Sequence, residues 1–188
     1  AAGLTKAPVA TAKFVQDTSV APDPLFAHVM QRRTLKEPFD LTKPVPQSAL
    51  DAMFASGQNG TRLAGSVEAK SISELRALTG KALQIEIDTP RTYKESVDLF
   101  RIGKSEIEAN PDGIDFSGAL FESLALIGQF DRNVVMDRNS ASYAQGVAAV
   151  LENAQTAMGH IWMVTKGNSR EDQIASGRDW VRVNLAAT

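Results

Sequence analysis

Strand-forming signals are few and widely separated in this chain, and that spacing constrains its fold more than any other feature. Alternating apolar residues occur at Val9-Ala10-Thr11-Ala12-Lys13-Phe14-Val15 and over Thr61–Ala69. A short run at Ile161-Trp162-Met163-Val164-Thr165 reads as a buried strand. Most of the chain between them carries helical spacing or turn formers. Isolated strands of this length need partners to make a sheet, so the pairing has to be long-range and the class α+β.

The helices announce themselves by their ends. Pro24 stands at the head of Leu25–Met30 and marks a short helix running into Gln31-Arg32-Arg33-Thr34. Pro38, Pro44 and Pro46 then impose an extended connection. Gln47–Ala55 reads as a helix with Leu50, Met53 and Phe54 inward, broken by Ser56-Gly57-Gln58-Asn59-Gly60. Ser71-x-x-Glu74 has the pattern of a capping box and predicts a helix to about Leu78. Tyr93–Phe130 reads mainly as helices interrupted by the turn Asn110-Pro111-Asp112-Gly113. Ala144–Met158 is a helix rich in small residues. Asn168 or Ser169 caps the last one, against Glu171 or Asp172. That helix continues through Ile174, Val181 and Leu185 without a glycine stop, which predicts further protein beyond it.

Composition removes several function classes. The length of 188 residues suits about one domain, and 43% hydrophobic with 22% charged residues fits a soluble globular chain rather than a disordered one. No stretch approaches the roughly 20 apolar residues of a membrane span. Lys and Arg number 20 against 22 Asp and Glu, which leaves no footprint for nucleic acid. The absence of Cys excludes disulfides, thiol catalysis and Cys-based metal sites. His28 and His160 are too isolated for metal-ligand spacing. Gly103-Lys104-Ser105 lacks the P-loop's first glycine, Asp98 standing in its place. Asp112 and Asp115 read as turn residues rather than as a catalytic carboxylate pair. No catalytic side chain and no metal ligand is expected.

One stretch is chemically dense. Arg32-Arg33-Thr34-x-Lys36 sets four hydrogen-bond donors within five residues, ahead of a proline-stiffened segment. Arginine forks and a threonine hydroxyl suit a phosphate, and Lys36 would face the same ligand if the chain is extended. The same residues also suit a solvated basic turn pairing with Glu37 and Asp40.

Arg32-Arg33-Thr34-Leu35-Lys36-Glu37-Pro38-Phe39, followed by Pro44-Val45-Pro46 and a helix, resembles the opening motif of the FMN-dependent nitroreductase family. Ser56-x-x-Asn59-x-Thr61-Arg62 is similar to that family's Ser-x-x-Asn segment, without its glutamine and proline. Thr165–Arg170, Ala175-x-Gly177-Arg178 and Asn184–Thr188 resemble the dormancy-associated, Acg-like branch, many members of which carry a twin-arginine export signal. The resemblance covers residues 25–188, with a poorly matched middle from about 80 to 140. It implies helices around a small mixed or antiparallel sheet. Residues 1–24 then read as strand and linker from a preceding unit, and 25–188 as a nitroreductase-like domain incomplete at its C-terminus.

The resemblance also implies a site. FMN phosphate and ribityl contacts fall on Arg32, Arg33 and Thr34, Lys36 faces the pyrimidine end of the ring, and Asn59 is a ring or ribityl partner. A cation at that end stabilises the reduced flavin. Hydride would pass from reduced nicotinamide, NAD(P)H, through flavin N5 to a nitro or quinone-like acceptor, with no side-chain nucleophile. Family sites form between two units, so a homodimer or pseudo-dimer is expected. Export by the twin-arginine route is expected if the chain follows its branch, and a cytoplasmic place otherwise. Two alternatives stand beside the oxidoreductase: a protein that binds FMN without turnover, and a relic of the fold whose pocket is covered, with Phe116, Leu120 and Phe121 as the lid. Trp162 and Trp180 read as core or interface residues.

Overall fold

Proline sets the character of the first quarter of the chain in the computed structural model, which describes residues 11–188. From Thr11 to Ser48 nearly every side chain is exposed, and the one regular element is a 3₁₀ turn, Pro24–His28. Asp23 caps this turn by accepting the Leu25 amide at 3.0 Å, and Pro24 takes the first position, where no N–H is needed. The expected strand over Val9–Val15 is not found: Val9 and Ala10 lie outside the described residues, and Thr11–Val15 pair with no other strand. Phe14 is 95% exposed, so nothing covers the apolar side of that alternation.

Regular structure begins where the prolines stop. Helix α1, Gln47–Ser56, leads into strand β1, Arg62–Ser66, and then α2, Ala69–Asp88. The cap of α2 is Glu68, whose carboxylate accepts the amides of Lys70 at 2.9 Å and Ser71 at 2.7 Å. Ser71 therefore sits inside the first turn instead of capping it. The helix also runs past Leu78 and through the buried Gly80, which packs against Gln155 of α7, and stops only at Thr89-Pro90. Helix α3, Pro90–Asp98, β2, Phe100–Ile102, α4, Gly103–Ala109, and β3, Ile114–Phe116, follow in quick succession. Then come α5, Ala119–Leu126, α6, Arg132–Met136, α7, Ala141–Thr156, β4, His160–Val164, and α8, Arg170–Ala186. Ser140 caps α7 through the Tyr143 amide, and Ser169 with Asp172 forms a complete capping box on α8.

The fold is mixed α+β, but its strands form two separate pairs instead of one small sheet. β1 and β4 run antiparallel, with Leu63 opposite Met163 and Ala64 opposite Trp162. β2 and β3 run parallel, with Phe100 opposite Ile114 and Ile102 opposite Phe116. The strand at 160–164 is buried on one face only. Gly65 leaves room there for Leu50 and Phe54 of α1, on the face it shares with Leu63, Ile161 and Met163. Trp162 and Val164, on the opposite face, are 43% and 51% exposed.

Two small cores hold these elements. One lies where α1 packs on α8, with Leu50 and Val183 buried; the other gathers Val97, Phe130 and Val135 beneath the rings of Phe100, Phe116 and Phe121. The Phe116 ring lies 4.5 Å from Phe100 and 5.3 Å from Phe130, centre to centre. Phe116 and Phe121 thus pack inward as core, and of the expected lid only Leu120 stays mostly exposed. The chain exposes 13644 Å², whereas a compact monomer of its 20.2 kDa exposes about 8,800 Å². The exposed arm accounts for part of the difference, and the open faces of β4 and α8 add to it. Among the described residues, no helix is long and apolar enough to cross a membrane.

Candidate functional site

The Arg32–Lys36 string lies on a span fastened at both ends. At its start, the 3₁₀ turn rests on α8, where Arg182 bonds to Asp23 and donates through Nε to the Ser56 carbonyl at 2.5 Å. At its end, three contacts reach the body of the protein. Lys36 Nζ donates to Asp115, Asn153 Nδ2 donates to the Glu37 carbonyl at 2.6 Å, and the Phe39 amide donates to Thr156 Oγ1 at 2.9 Å. Between these fastenings Arg32, Arg33 and Thr34 are exposed. Proline at 38 keeps the segment before it extended and unable to close into a helix.

The donors on the span differ in what they have left to give. Arg32 Nη1 donates to Thr34 Oγ1 at 3.1 Å, which sets a guanidinium and a hydroxyl side by side. Arg33 turns back on its own backbone, Nη1 donating to the Met30 and Arg32 carbonyls at 3.0 and 2.8 Å. Lys36 Nζ is engaged twice by Asp115, at the carboxylate (2.8 Å) and at the carbonyl (2.7 Å), and lies 5.4 Å from the centre of the Phe116 ring. The surface pairing expected of a basic turn is absent: Asp40 pairs with Lys43, and the Glu37 side chain takes no part in an ion pair among the described residues.

Asn59 belongs to a different construction. Its loop hangs on Asp179, a residue of α8 with no exposed surface. The Asp179 carboxylate accepts the Gln58 amide at 2.9 Å, the Asn59 amide at 3.1 Å, the Asn59 side-chain Nδ2 at 2.8 Å and the Thr61 amide at 3.3 Å. Burial alone would raise the Asp179 pKa. The Asn59 side chain and the loop amides outweigh it and bring the value to about 2, so the group is a fixed anion. Beside this loop an open groove of about 480 Å³ runs along α8, walled by Gln58, Asn59, Ile174, Gly177, Val181 and the arginines at 178 and 182.

The structure thus brings Arg32 together with Thr34, turns Arg33 back on its own backbone, commits Lys36 to β3 and commits Asn59 to α8. Arg182 links the two constructions, holding Asp23 of the arm and the Ser56 carbonyl at the head of the Asn59 loop. Three residues that organise the site, Asp115, Asp179 and Arg182, do not stand out in the sequence. The signal for Asp179 was its phase: it falls on the inward stripe of α8 with Ala175, Ser176 and Val183, where a lone carboxylate needs donors. Comparison with protein-family models, with curated proteins and with solved structures finds no match to this chain.

Proposed function

We propose that this chain is the cofactor-holding part of an FMN-dependent oxidoreductase of the nitroreductase type. The observation that carries the reading is the adjacency of the Arg32 guanidinium and the Thr34 hydroxyl on an exposed span, within the string that resembles the family's phosphate-binding motif. Those two groups fit a phosphate ester: the guanidinium keeps N–H groups free of partners among the described residues, and the hydroxyl stands beside it. The ring end fits less well as the side chains stand. Lys36 is taken up by Asp115, and one N–H of Asn59 Nδ2 is committed to Asp179, which leaves that side chain its second N–H and its carbonyl oxygen. Bound FMN would supply the hydride chemistry, with reduced nicotinamide as donor and a nitro or quinone-like compound as acceptor.

A second unit is part of this reading. The open faces of α8 and β4, where Val181, Trp162 and Val164 are about half exposed, are where a second copy would seat. The test of the whole reading is a titration of the purified protein with FMN, followed in the visible spectrum and by quenching of flavin fluorescence. Saturable binding is expected, and none at all overturns the reading. In that event the covered-pocket alternative gains, since the Lys36–Asp115 contact is the one observation that favours it.

A further inference from the structure

The Lys36 cation is held entirely by one strand, β3: by the carboxylate of Asp115 at 2.8 Å, by its carbonyl at 2.7 Å, and by the Phe116 ring at 5.4 Å. We propose that this contact is an autoinhibitory latch, in which Asp115 and Phe116 occupy the Lys36 ammonium in place of the flavin, so that FMN engages the arm fully only once Lys36 has let go. The inference rests on the flavin reading above and supplies its regulation.

Three features give the latch its form. The first is an asymmetry of support. Phe116 is packed among Phe100, Phe121 and Phe130, so β3 is a fixed platform, whereas Lys36 sits on an arm exposed on both sides of the contact. Opening is therefore a movement of the Lys36 side chain, with Glu37 and Phe39 still fastened to α7, and leaves the core in place. The second is strength. The paired side chains are 42% and 64% exposed, and an ion pair so wetted shifts an equilibrium only a few-fold. Such a contact biases the arm without locking it, and a few-fold bias is one that a ligand with hydrogen-bond acceptors at the Lys36 end can overcome. The third is geometry along the chain. Lys36 lies two residues from Thr34, so the latch also fixes the end of the span on which Arg32 and Thr34 stand.

The test compares wild type, Asp115→Asn and Asp112→Asn in two measurements. Asp112 pairs with Arg101 in the same segment and does not touch the arm, which makes its variant the control. The first measurement is FMN affinity by fluorescence quenching. The second needs no flavin: the rate at which an amine-acylating reagent modifies Lys36, read by mass spectrometry against Lys43 in the same molecule. D115N is expected to bind FMN about three- to tenfold tighter and to acylate faster at Lys36, with D112N like wild type in both. Unchanged or weaker FMN binding by D115N overturns the latch while leaving the flavin reading intact. An unchanged acylation rate overturns it as well. If neither protein binds FMN although D115N exposes Lys36, the flavin reading falls, and the latch as a flavin regulator falls with it.

Discussion

Asp179 accepts the Asn59 side-chain amide at 2.8 Å, and with it the backbone amides of the residues around Asn59, so one buried carboxylate on the last helix fixes the loop that follows the first. Truncation to alanine strands those N–H groups in a buried site. Asp179→Ala is expected to cost about 3 kcal/mol or more, read by urea denaturation. Asp179→Asn retains the shape but replaces an acceptor oxygen with a donor, and should fall between alanine and wild type. The pH dependence has a definite sign. The folded pKa of about 2 lies below the unfolded value, so the contribution is complete above about pH 4 and is lost as the pH falls toward 2. An acid-unfolding curve whose steep region vanishes in Asp179→Asn is the expected result.

His160 carries the opposite kind of demand. Burial lowers its pKa, the Arg76 guanidinium lowers it further, and its Nδ1 is buried without a partner. The unfolded chain therefore takes up a proton at this position more readily than the folded one. Stability from neutral His160 is complete above about pH 6.5 and is lost as the pH falls through the depressed folded value. His160→Leu should flatten the dependence of the melting temperature on pH between about 7 and 5. An equal slope in both proteins would remove His160 as its source.

Legibility in the sequence followed the reach of each interaction. Helices α1, α7 and α8 were legible because their signals are local: a proline before α1, a run of small residues for α7, whose Ser140 cap went unread, and Ser169 as the cap on α8. The β2–β3 pair was not, since three residues on each strand are too few for alternation to register, and each strand is flanked by helical pattern. At the site, the Arg32–Lys36 string was visible as composition, but its partners were not. Asp115 reads as a turn residue beside Asp112-Gly113, and only the fold brings it across 79 residues to Lys36. Asn59 was legible as part of a turn, whereas the reason its side chain is occupied lies 120 residues away.

Gly113 ties that turn to the second sheet. Its φ is +74°, and an added Cβ would stand 2.2 Å from the Leu99 carbonyl oxygen. Gly128 has a similar φ of +71° with open space around it. Gly128→Ala is expected to cost about 1 kcal/mol for the left-handed backbone alone. Gly113→Ala must in addition push Leu99 and its strand apart, for a total of roughly 2–4 kcal/mol. Denaturation of the two variants side by side checks the difference, and equal losses would mean that the β2–β3 pair yields freely.

The two arginines of the span should not be equivalent in FMN binding. Arg32 points its donors outward beside Thr34, whereas Arg33 has spent Nη1 on the backbone carbonyls of Met30 and Arg32. Arg32→Ala removes a charge-assisted contact to phosphate, expected at about 1.5–3 kcal/mol, or roughly ten- to a hundredfold in the FMN dissociation constant. Arg33→Ala should cost several-fold less and act by loosening the bend of the arm. Titration of both variants decides, and a larger loss at Arg33 would reverse the assignment.

The uncovered faces make a last prediction. α8 has apolar residues on two sides: Val183 is buried, while Ile174 and Val181 lie on the other side at 39% and 56% exposure. A helix patterned in this way is one built to be covered twice. The face of β4 that holds Trp162 is open as well, and Trp180 is 54% exposed. Apolar side chains exposed on both elements, Trp162 and Val164 of β4 with Trp180 and Val181 of α8, are surface that a second copy could cover. Sedimentation equilibrium is therefore expected to give at least twice the 20.2 kDa of one chain at micromolar concentration. Tryptophan emission should shift to the blue with rising concentration as Trp162 or Trp180 leaves water. Val181→Asp, which sets a charge on the outward side and leaves the buried Val183 in place, should return the protein to monomer with its circular dichroism unchanged. A wild-type monomer at all concentrations, with emission fixed at the wavelength of solvated indole, would show that these faces stay wet and that no second copy completes the site.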